Sequence, residues 1–107
     1  MKCIEISPIP PEVILEHVAK EFGVTPSDIT SDSQKWKFVV PRKICWLFLR
    51  EINGYSHRHI AGLFNRVPSA VTLGLQGINN ELDVDKQLWK KCSTLLHTFI
   101  NLQNQTR

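Results

Sequence analysis

The chain has 107 residues, of which 42% are hydrophobic and 21% are charged, and its formal net charge is +3. This length suits one domain with a core of its own, residues 1–107, and is too short for a motor or synthase core. Its three cysteines lie too far apart for a zinc or redox pair, and their odd number argues against a secreted disulfide framework. We therefore expect reduced thiols and a cytoplasmic location.

Charge is distributed unevenly along the chain. Residues 1–33 carry two bases and six acids, a net −4; residues 34–66 carry seven bases and one acid, a net +6; residues 67–107 carry four bases and three acids, a net +1. A basic middle third indicates a surface that faces a polyanion. A solvated basic surface without a partner explains the same pattern equally well.

Several classes of function have no support in the sequence. The amino terminus lacks the apolar stretch of a secretory signal, and the longest uncharged apolar run, residues 44–49, is far shorter than a bilayer requires. No Ser-His-Asp arrangement, carboxylate pair or glycine-rich phosphate loop can be assembled. His57 and His59 have no cysteine or carboxylate at ligand spacing. We expect no enzyme activity, cofactor, metal or membrane contact.

The first elements follow from prolines and caps. An arm, residues 1–10, contains an alternation at residues 4–6 that suggests a stub of strand. The prolines that follow start a helix, which runs to about Phe22, where Gly23 is a suitable terminator. Thr25 is predicted to cap one short helical turn through a capping box.

Two central segments come next. Residues 30–40 are polar, then basic and aromatic without a helical period, which predicts a loop with Trp36 pinning it to the core. Residues 41–52 are predicted to form a helix that stops at Asn53-Gly54.

The last three helices complete an all-α fold of about six helices. One helix runs from a cap at Ser56 to Phe64, and the next begins at Pro68 and buries Val71, Leu75, Ile78 and Leu82. A C-terminal helix over residues 85–104 packs across the others. The sequence further predicts Trp46 and Trp89 to be core or near-core residues, and His17 and His97 to be partly buried.

Helices four and five have the pattern of a helix-turn-helix. Ala61 and Gly62 are small enough to let the second helix cross closely. The outer side of that helix is predicted to be a surface with little side-chain bulk. Its residues are Ser69, Ala70, Leu73, Gly74, Gln76 and Gly77. Such a surface allows close approach to a DNA groove or, alternatively, to another protein helix, including a second copy of this chain.

From about residue 18 to residue 82, the sequence resembles the C-terminal DNA-binding domain of DnaA, the bacterial chromosomal replication initiator. The shared features are the F-G-V corner at residues 22–24, a short turn, a basic loop, a helix opened by Pro41-Arg42-Lys43 with Arg50-Glu51-Ile52 near its end, and then the helix-turn-helix. The resemblance implies a Trp-repressor-like compact bundle that binds duplex DNA in replication initiation or its regulation. The initiator's nucleotide-hydrolysing module has no counterpart in these residues, so the resemblance carries no ATP binding.

The signature motif of that family, G-G-R-D-H-T-T-V followed by x-H-A, is only partly present. Arg66, Ser69 and Val71 match or substitute for family residues. Four polar positions are replaced by Val67, Pro68, Ala70 and Leu73, and Gln34 stands where the family places an arginine in the minor groove. Because the missing groups read bases in the family, a different or weaker sequence preference is expected.

Charge and resemblance together predict the site residues. Phosphate contacts are assigned to Arg42, Lys43, Arg50, Ser56 and Arg58. Contacts to bases or grooves are assigned to Lys35, Lys37, Arg66, Ser69, Ala70 and Leu73. Two other hypotheses remain open. One is a protein-interaction module that uses the exposed face of helix five, and the other is binding of single-stranded DNA or RNA on Trp36 and Phe38.

Overall fold

The computed structural model describes residues 8–105, and this part of the chain forms six helices. They are α1 (Pro11–Phe22), α2 (Pro26–Thr30), α3 (Trp36–Glu51), α4 (His57–Phe64), α5 (Pro68–Val84) and α6 (Lys86–Gln105). Residues 8–105 contain no strand, which confirms the all-α class, and the suggested strand stub at residues 4–6 lies outside them. None of these helices is long and apolar enough to cross a membrane.

The predicted ends of α1 and α2 are confirmed. Gly23 follows α1 in the left-handed region with φ of 70°, a conformation that glycine adopts without steric cost. At α2, the Thr25 hydroxyl oxygen accepts from the Asp28 N–H, and the Asp28 carboxylate accepts from the Thr25 N–H, both at 3.1 Å. This reciprocal capping box satisfies two donors that a five-residue helix would otherwise leave free.

Helix α3 begins five residues earlier than predicted, at Trp36, so that Pro41 lies inside it. Proline offers no N–H to the helix and disfavours helical geometry in the residue before it. Burial outweighs this local preference, because Val40, Pro41 and Arg42 are all buried. The predicted loop over residues 30–40 is therefore reduced to residues 31–35.

Helix α3 is the centre of the fold and packs against α1, α2, α4 and α5, while α6 packs against α1 and α5. Every helix contributes fully or almost fully buried side chains, among them Ile14, Ile29, Ile44, Ile60, Val71, Ile78 and Phe99. The segment before α1 is attached to the same core: Ile9 is 3% exposed, and its backbone exchanges hydrogen bonds of 2.9 and 2.8 Å with the Asn53 amide.

Three aromatic or histidine predictions are wrong. Trp36 is 72% exposed and does not pin the loop, and Trp89 is 59% exposed. His97 is also exposed, whereas His17 is partly buried and Trp46 is in the core, as predicted. Trp89 follows the buried Leu88 on α6, and one helical step turns its side chain by about 100° away from the core.

Candidate nucleic-acid interface

Helices α4 and α5 form a helix-turn-helix joined by residues 65–67. The Ser56 hydroxyl caps α4 by accepting from the His59 N–H at 3.1 Å, and Asn65 ends it in the left-handed region. The Thr72 hydroxyl donates to the Pro68 carbonyl, and its oxygen lies 2.7 Å from His57 Nδ1, so it can accept a hydrogen bond from an Nδ1–H group. This contact fixes the start of α4 against α5.

The outer side of α5 presents a continuous stripe of exposed side chains, which we call the α5 ridge: Ser69, Leu73, Gln76 and Asn80. Their spacing of four, three and four residues places them on one helical face. Leu73 is 67% exposed, while Val71 and Ile78 on the opposite side are fully buried. The predicted inward stripe of α5 is confirmed for Val71, Leu75 and Ile78, whereas Leu82 is only partly buried. The outer face of α5 is open along three turns.

The sequence predicted that Gly74 and Gly77 lie on the open face of α5, but neither of them is exposed. Gly74 is buried, and a Cβ placed there would lie 2.5 Å from Cζ3 and 2.8 Å from Cε3 of Trp46 on α3. Gly77 is half-buried, with the Lys43 Nζ 3.7 Å from its would-be Cβ. Gly74 therefore serves the close packing of α3 against α5. Gly62 is exposed with nothing near it, so only Ala61 supports the crossing of α4 and α5.

An open cleft of about 320 Å³ lies between the loop of residues 31–35, α3 and α5. We call it the loop–helix cleft. Its lining brings together predicted site residues from α3, the turn after α4, and α5, namely Arg42, Lys43, Arg66, Ala70 and Leu73; Gln34 also lines it but was not a predicted site residue. Because Leu73 also belongs to the α5 ridge, the cleft forms one flank of that ridge.

Arg42 has a structural position in this cleft. It is 3% exposed, and its guanidinium donates to the backbone oxygens of Ile29 at 2.7 Å, Ser31 at 2.7 Å and Ser33 at 3.0 Å. Burial lowers the pKa of Arg42, and the nearby charge of Arg66 lowers it further, against the opposing influence of Asp32. This placement does not fit the predicted phosphate contact, because the guanidinium is buried and already holds the loop in shape.

Arg66 joins the turn of the helix-turn-helix to the same loop. Its guanidinium donates to the Ser31 carbonyl at 2.9 Å and forms an ion pair of 3.3 Å with Asp32. The Arg66 side chain is 18% exposed, whereas that of Asp32 is 95% exposed. Asp32 therefore places a solvated carboxylate beside the cleft, a feature that the sequence analysis did not anticipate.

Four further predicted site residues are basic. Lys43 extends along α5 over Gly77, and the exposed Lys35 follows the cleft residue Gln34. Arg50 in the last turn of α3 and Arg58 in the first turn of α4 are also exposed. Lys43 thus lies directly beside α5, and the loop, the end of α3 and the start of α4 each present an exposed basic side chain.

Two predicted site residues serve local structure. The Arg50 Nη1 donates to the Tyr55 carbonyl at 3.0 Å, which leaves its other donors available. The Ser56 hydroxyl oxygen is engaged as the α4 cap.

Lys37 departs from its predicted position. It belongs to the first turn of α3 rather than to a loop, with its Nζ 5.1 Å from the centre of the Phe38 ring. It lines a second cleft, between the start of α3 and the start of α6, together with Trp36, Phe22 and Lys91. Lys37 is therefore not one of the residues that line the loop–helix cleft.

Two ridge residues, Gln76 and Asn80, were not assigned as site residues from the sequence. The signal was present, because they continue the helical spacing that begins at Ser69 and Leu73. Their amides carry both donors and acceptors, as direct contact with base edges requires.

These features define a helix-turn-helix domain whose second helix has an exposed ridge, with the basic Lys43 beside it. Residues 11–78 match the family described as "Bacterial dnaA protein helix-turn-helix", and the chain belongs to this family.

Curated relatives agree with this assignment. The chain is 31% identical over 75 residues to "Chromosomal replication initiator protein DnaA 1" of Chlamydia muridarum, which covers 70% of the chain and 16% of the relative. It is 25% identical over 92 residues to "Chromosomal replication initiator protein DnaA" of Deinococcus deserti, which covers 86% of the chain and 20% of the relative. The chain thus spans about one sixth to one fifth of the length of these relatives.

Proposed function

We propose that this chain binds duplex DNA through the α5 ridge and acts in the initiation of replication or in its regulation. The observation that carries the proposal is the exposed α5 ridge, with Lys43 beside it and the cleft of predicted site residues along one flank. An α-helix fits the major groove of B-DNA, and basic groups beside it meet the phosphates that border the groove. The relatives are named as chromosomal replication initiators, which agrees with this role.

The phosphate-binding groups that we propose are the exposed Lys35, Arg50 and Arg58 and the half-buried Lys43. Arg42 is left out because its guanidinium is buried and holds the loop. Arg66, which is largely buried and paired with Asp32, is kept as a groove contact. Neutralising four or five phosphates gives a slope of about −4 for the logarithm of affinity against the logarithm of salt concentration.

Sequence preference is proposed to differ from that of the DnaA box. Ser69 and Gln76 on the ridge can hydrogen-bond to base edges, and Ala70 and Leu73 can contact a thymine methyl group. Selection of bound oligonucleotides from a random pool gives the preference directly. Ser69→Ala and Gln76→Ala should change the selected sequence, while phosphate-contact variants should weaken binding to all sequences alike.

Fluorescence anisotropy with a labelled random duplex tests DNA binding. Arg58→Glu should lower the affinity and make the salt slope shallower, since it reverses the charge of a proposed phosphate contact. Lys20→Glu is the matched control: Lys20 is exposed on α1, which packs against α2, α3 and α6. Equal effects of the two variants, or no binding of the wild type at low salt, would refute the proposed interface.

A second candidate function is docking on a protein, including a second copy of this chain. The observation in its favour is the exposure of two large apolar side chains on the helix-turn-helix, Leu73 at 67% and Val67 at 62%. Gly74 cannot belong to such a docking face, because Trp46 covers it. Size-exclusion chromatography with light scattering tests self-association: a concentration-dependent dimer that Leu73→Ser abolishes would favour this function.

A further inference from the structure

The cleft between the start of α3 and the start of α6, which we call the α3–α6 cleft, has a volume of about 270 Å³. None of the described residues that line it belongs to α5, and none of them also lines the loop–helix cleft. Most of its lining is apolar and comes from three helices: Phe22, Trp36, Val40, Pro41 and Leu88. The α3–α6 cleft is therefore a surface separate from the proposed DNA interface.

Trp36 gives this cleft a large exposed apolar wall. Its side chain is 72% exposed, whereas the lining residues Val40, Pro41 and Leu88 are buried. An exposed tryptophan beside an apolar hollow is typical of the anchor points of protein interfaces, where tryptophan contributes more to binding than most residues. A partner's apolar side chain in the cleft would remove the indole and the lining from water together.

Two lysines set the charge that the cleft favours. The Lys91 Nζ lies 4.9 Å from the centre of the Phe22 ring and donates to the Glu21 carbonyl at 3.4 Å, which holds it over the apolar lining. The exposed Lys37 has its Nζ 5.1 Å from the centre of the Phe38 ring. Within residues 8–105, neither lysine forms an ion pair with a carboxylate. Both ammonium groups are therefore available to carboxylates of a partner.

The pattern of charges favours a protein segment over a nucleic acid. Among the described lining residues, Asp85 is the one carboxylate, and its Oδ1 accepts from the N–H groups of Gln87 and Leu88 at 3.1 Å each. A lining that mixes apolar groups, two lysines and an aspartate differs from the continuously basic groove that follows a nucleic-acid backbone. A peptide can place an apolar side chain and separate carboxylates against such a lining, so charge complementarity selects an acidic segment.

We propose that the α3–α6 cleft docks a protein partner through a short acidic segment that carries one large apolar side chain. This side chain enters the cleft beside Trp36, and the carboxylates around it pair with Lys37 and Lys91. The α5 ridge stays free, so the partner and duplex DNA bind to one molecule at the same time. A DNA-bound copy of the chain then brings the partner to the DNA, while the docking itself does not depend on DNA binding.

Selection from a library of random short peptides, displayed on phage and bound to the full chain, tests the proposal. The enriched peptides should share a large apolar residue flanked by aspartate or glutamate, and a labelled synthetic copy should bind in an anisotropy assay. Trp36→Ala should weaken its binding about tenfold, and Lys37→Glu should weaken it several-fold. Trp89→Ala and Lys90→Glu are the matched controls, because both residues are exposed on α6 and line neither of the two clefts.

Thermal denaturation confirms that the four variants remain folded. Saturating random duplex should leave peptide binding unchanged, and Trp36→Ala should bind duplex like wild type. If the wild type binds the peptide but no duplex, the docking site stands and the proposed DNA binding fails.

The docking site is refuted if no acidic peptide with an apolar residue is enriched, or if Trp36→Ala and Trp89→Ala bind the peptide equally well. If a single-stranded oligonucleotide displaces the peptide and its own binding requires Trp36, stacking on nucleic acid replaces the proposal. If light scattering shows that the chain alone forms a dimer that Trp36→Ala dissociates, the cleft is an interface between two copies instead.

Discussion

A glycine-to-alanine substitution at two neighbouring positions of α5 should change stability in opposite directions. At Gly77, the closest atom to a new Cβ is the Lys43 Nζ at 3.7 Å, the mobile end of a long side chain. Alanine is favoured over glycine inside a helix by about 1 kcal/mol. Gly77→Ala should therefore raise the free energy of unfolding by about 0.5–1 kcal/mol.

Gly74→Ala meets a different environment. The new Cβ would lie 2.5 and 2.8 Å from two carbon atoms of the Trp46 ring, about 1 Å inside the usual carbon–carbon contact distance. Trp46 has little room to retreat, because it is 4% exposed and packs edge-on against Phe64 with ring centroids 5.9 Å apart. Such overpacking costs about 2–3 kcal/mol, which exceeds the helix-propensity gain and leaves a net loss of about 1–2 kcal/mol.

Urea and thermal denaturation of the two variants, side by side with wild type, provide the measurement. Together the expected changes separate the variants by roughly 2 kcal/mol, and 1 kcal/mol corresponds to a shift in Tm of about 4–8 °C for a domain near this size. The shared chemistry of the substitution makes each variant a control for the other. If Gly74→Ala is as stable as Gly77→Ala, then α3 and α5 are not packed through Trp46 as the structure shows.

Three further predictions concern single side chains. Asp32→Asn removes the exposed carboxylate that pairs with Arg66. DNA affinity in the anisotropy assay should therefore rise a few-fold at low salt, and this gain should shrink as salt is added. Unchanged affinity would place Arg66 outside the interface. Arg42→Met deprives three backbone oxygens of their donor, and urea denaturation should show a loss of roughly 2–4 kcal/mol, whereas Arg50→Met should leave stability nearly unchanged. Burial raises the pKa of the Cys92 thiol to about 12, so this thiol stays protonated at pH 8. It should react with a disulfide reagent slowly in the native protein and rapidly in urea. A fast reaction in the native protein would contradict its burial.

The sequence by itself determined the order of the helices and most of their ends. The signals are local: Gly23 in the left-handed region, the Thr25–Asp28 capping box and the Ser56 cap all depend on residues within a few positions of one another. The inward stripe of α5 was equally readable, because the spacing of Val71, Leu75 and Ile78 defines one face whatever that face meets. Family membership also came from the sequence, through the order of these local features.

The tertiary structure decided which side chains are available to a ligand. Whether Arg42 reaches solvent depends on carbonyl groups 9 to 13 residues away in the chain, and whether Gly74 lies open depends on Trp46 in another helix. The start of α3 at Trp36 likewise follows from burial of Val40 and Pro41, which local preference opposes. Burial and hydrogen bonding between distant segments are properties of packing, and helical periodicity specifies only which face a residue occupies, not what covers it.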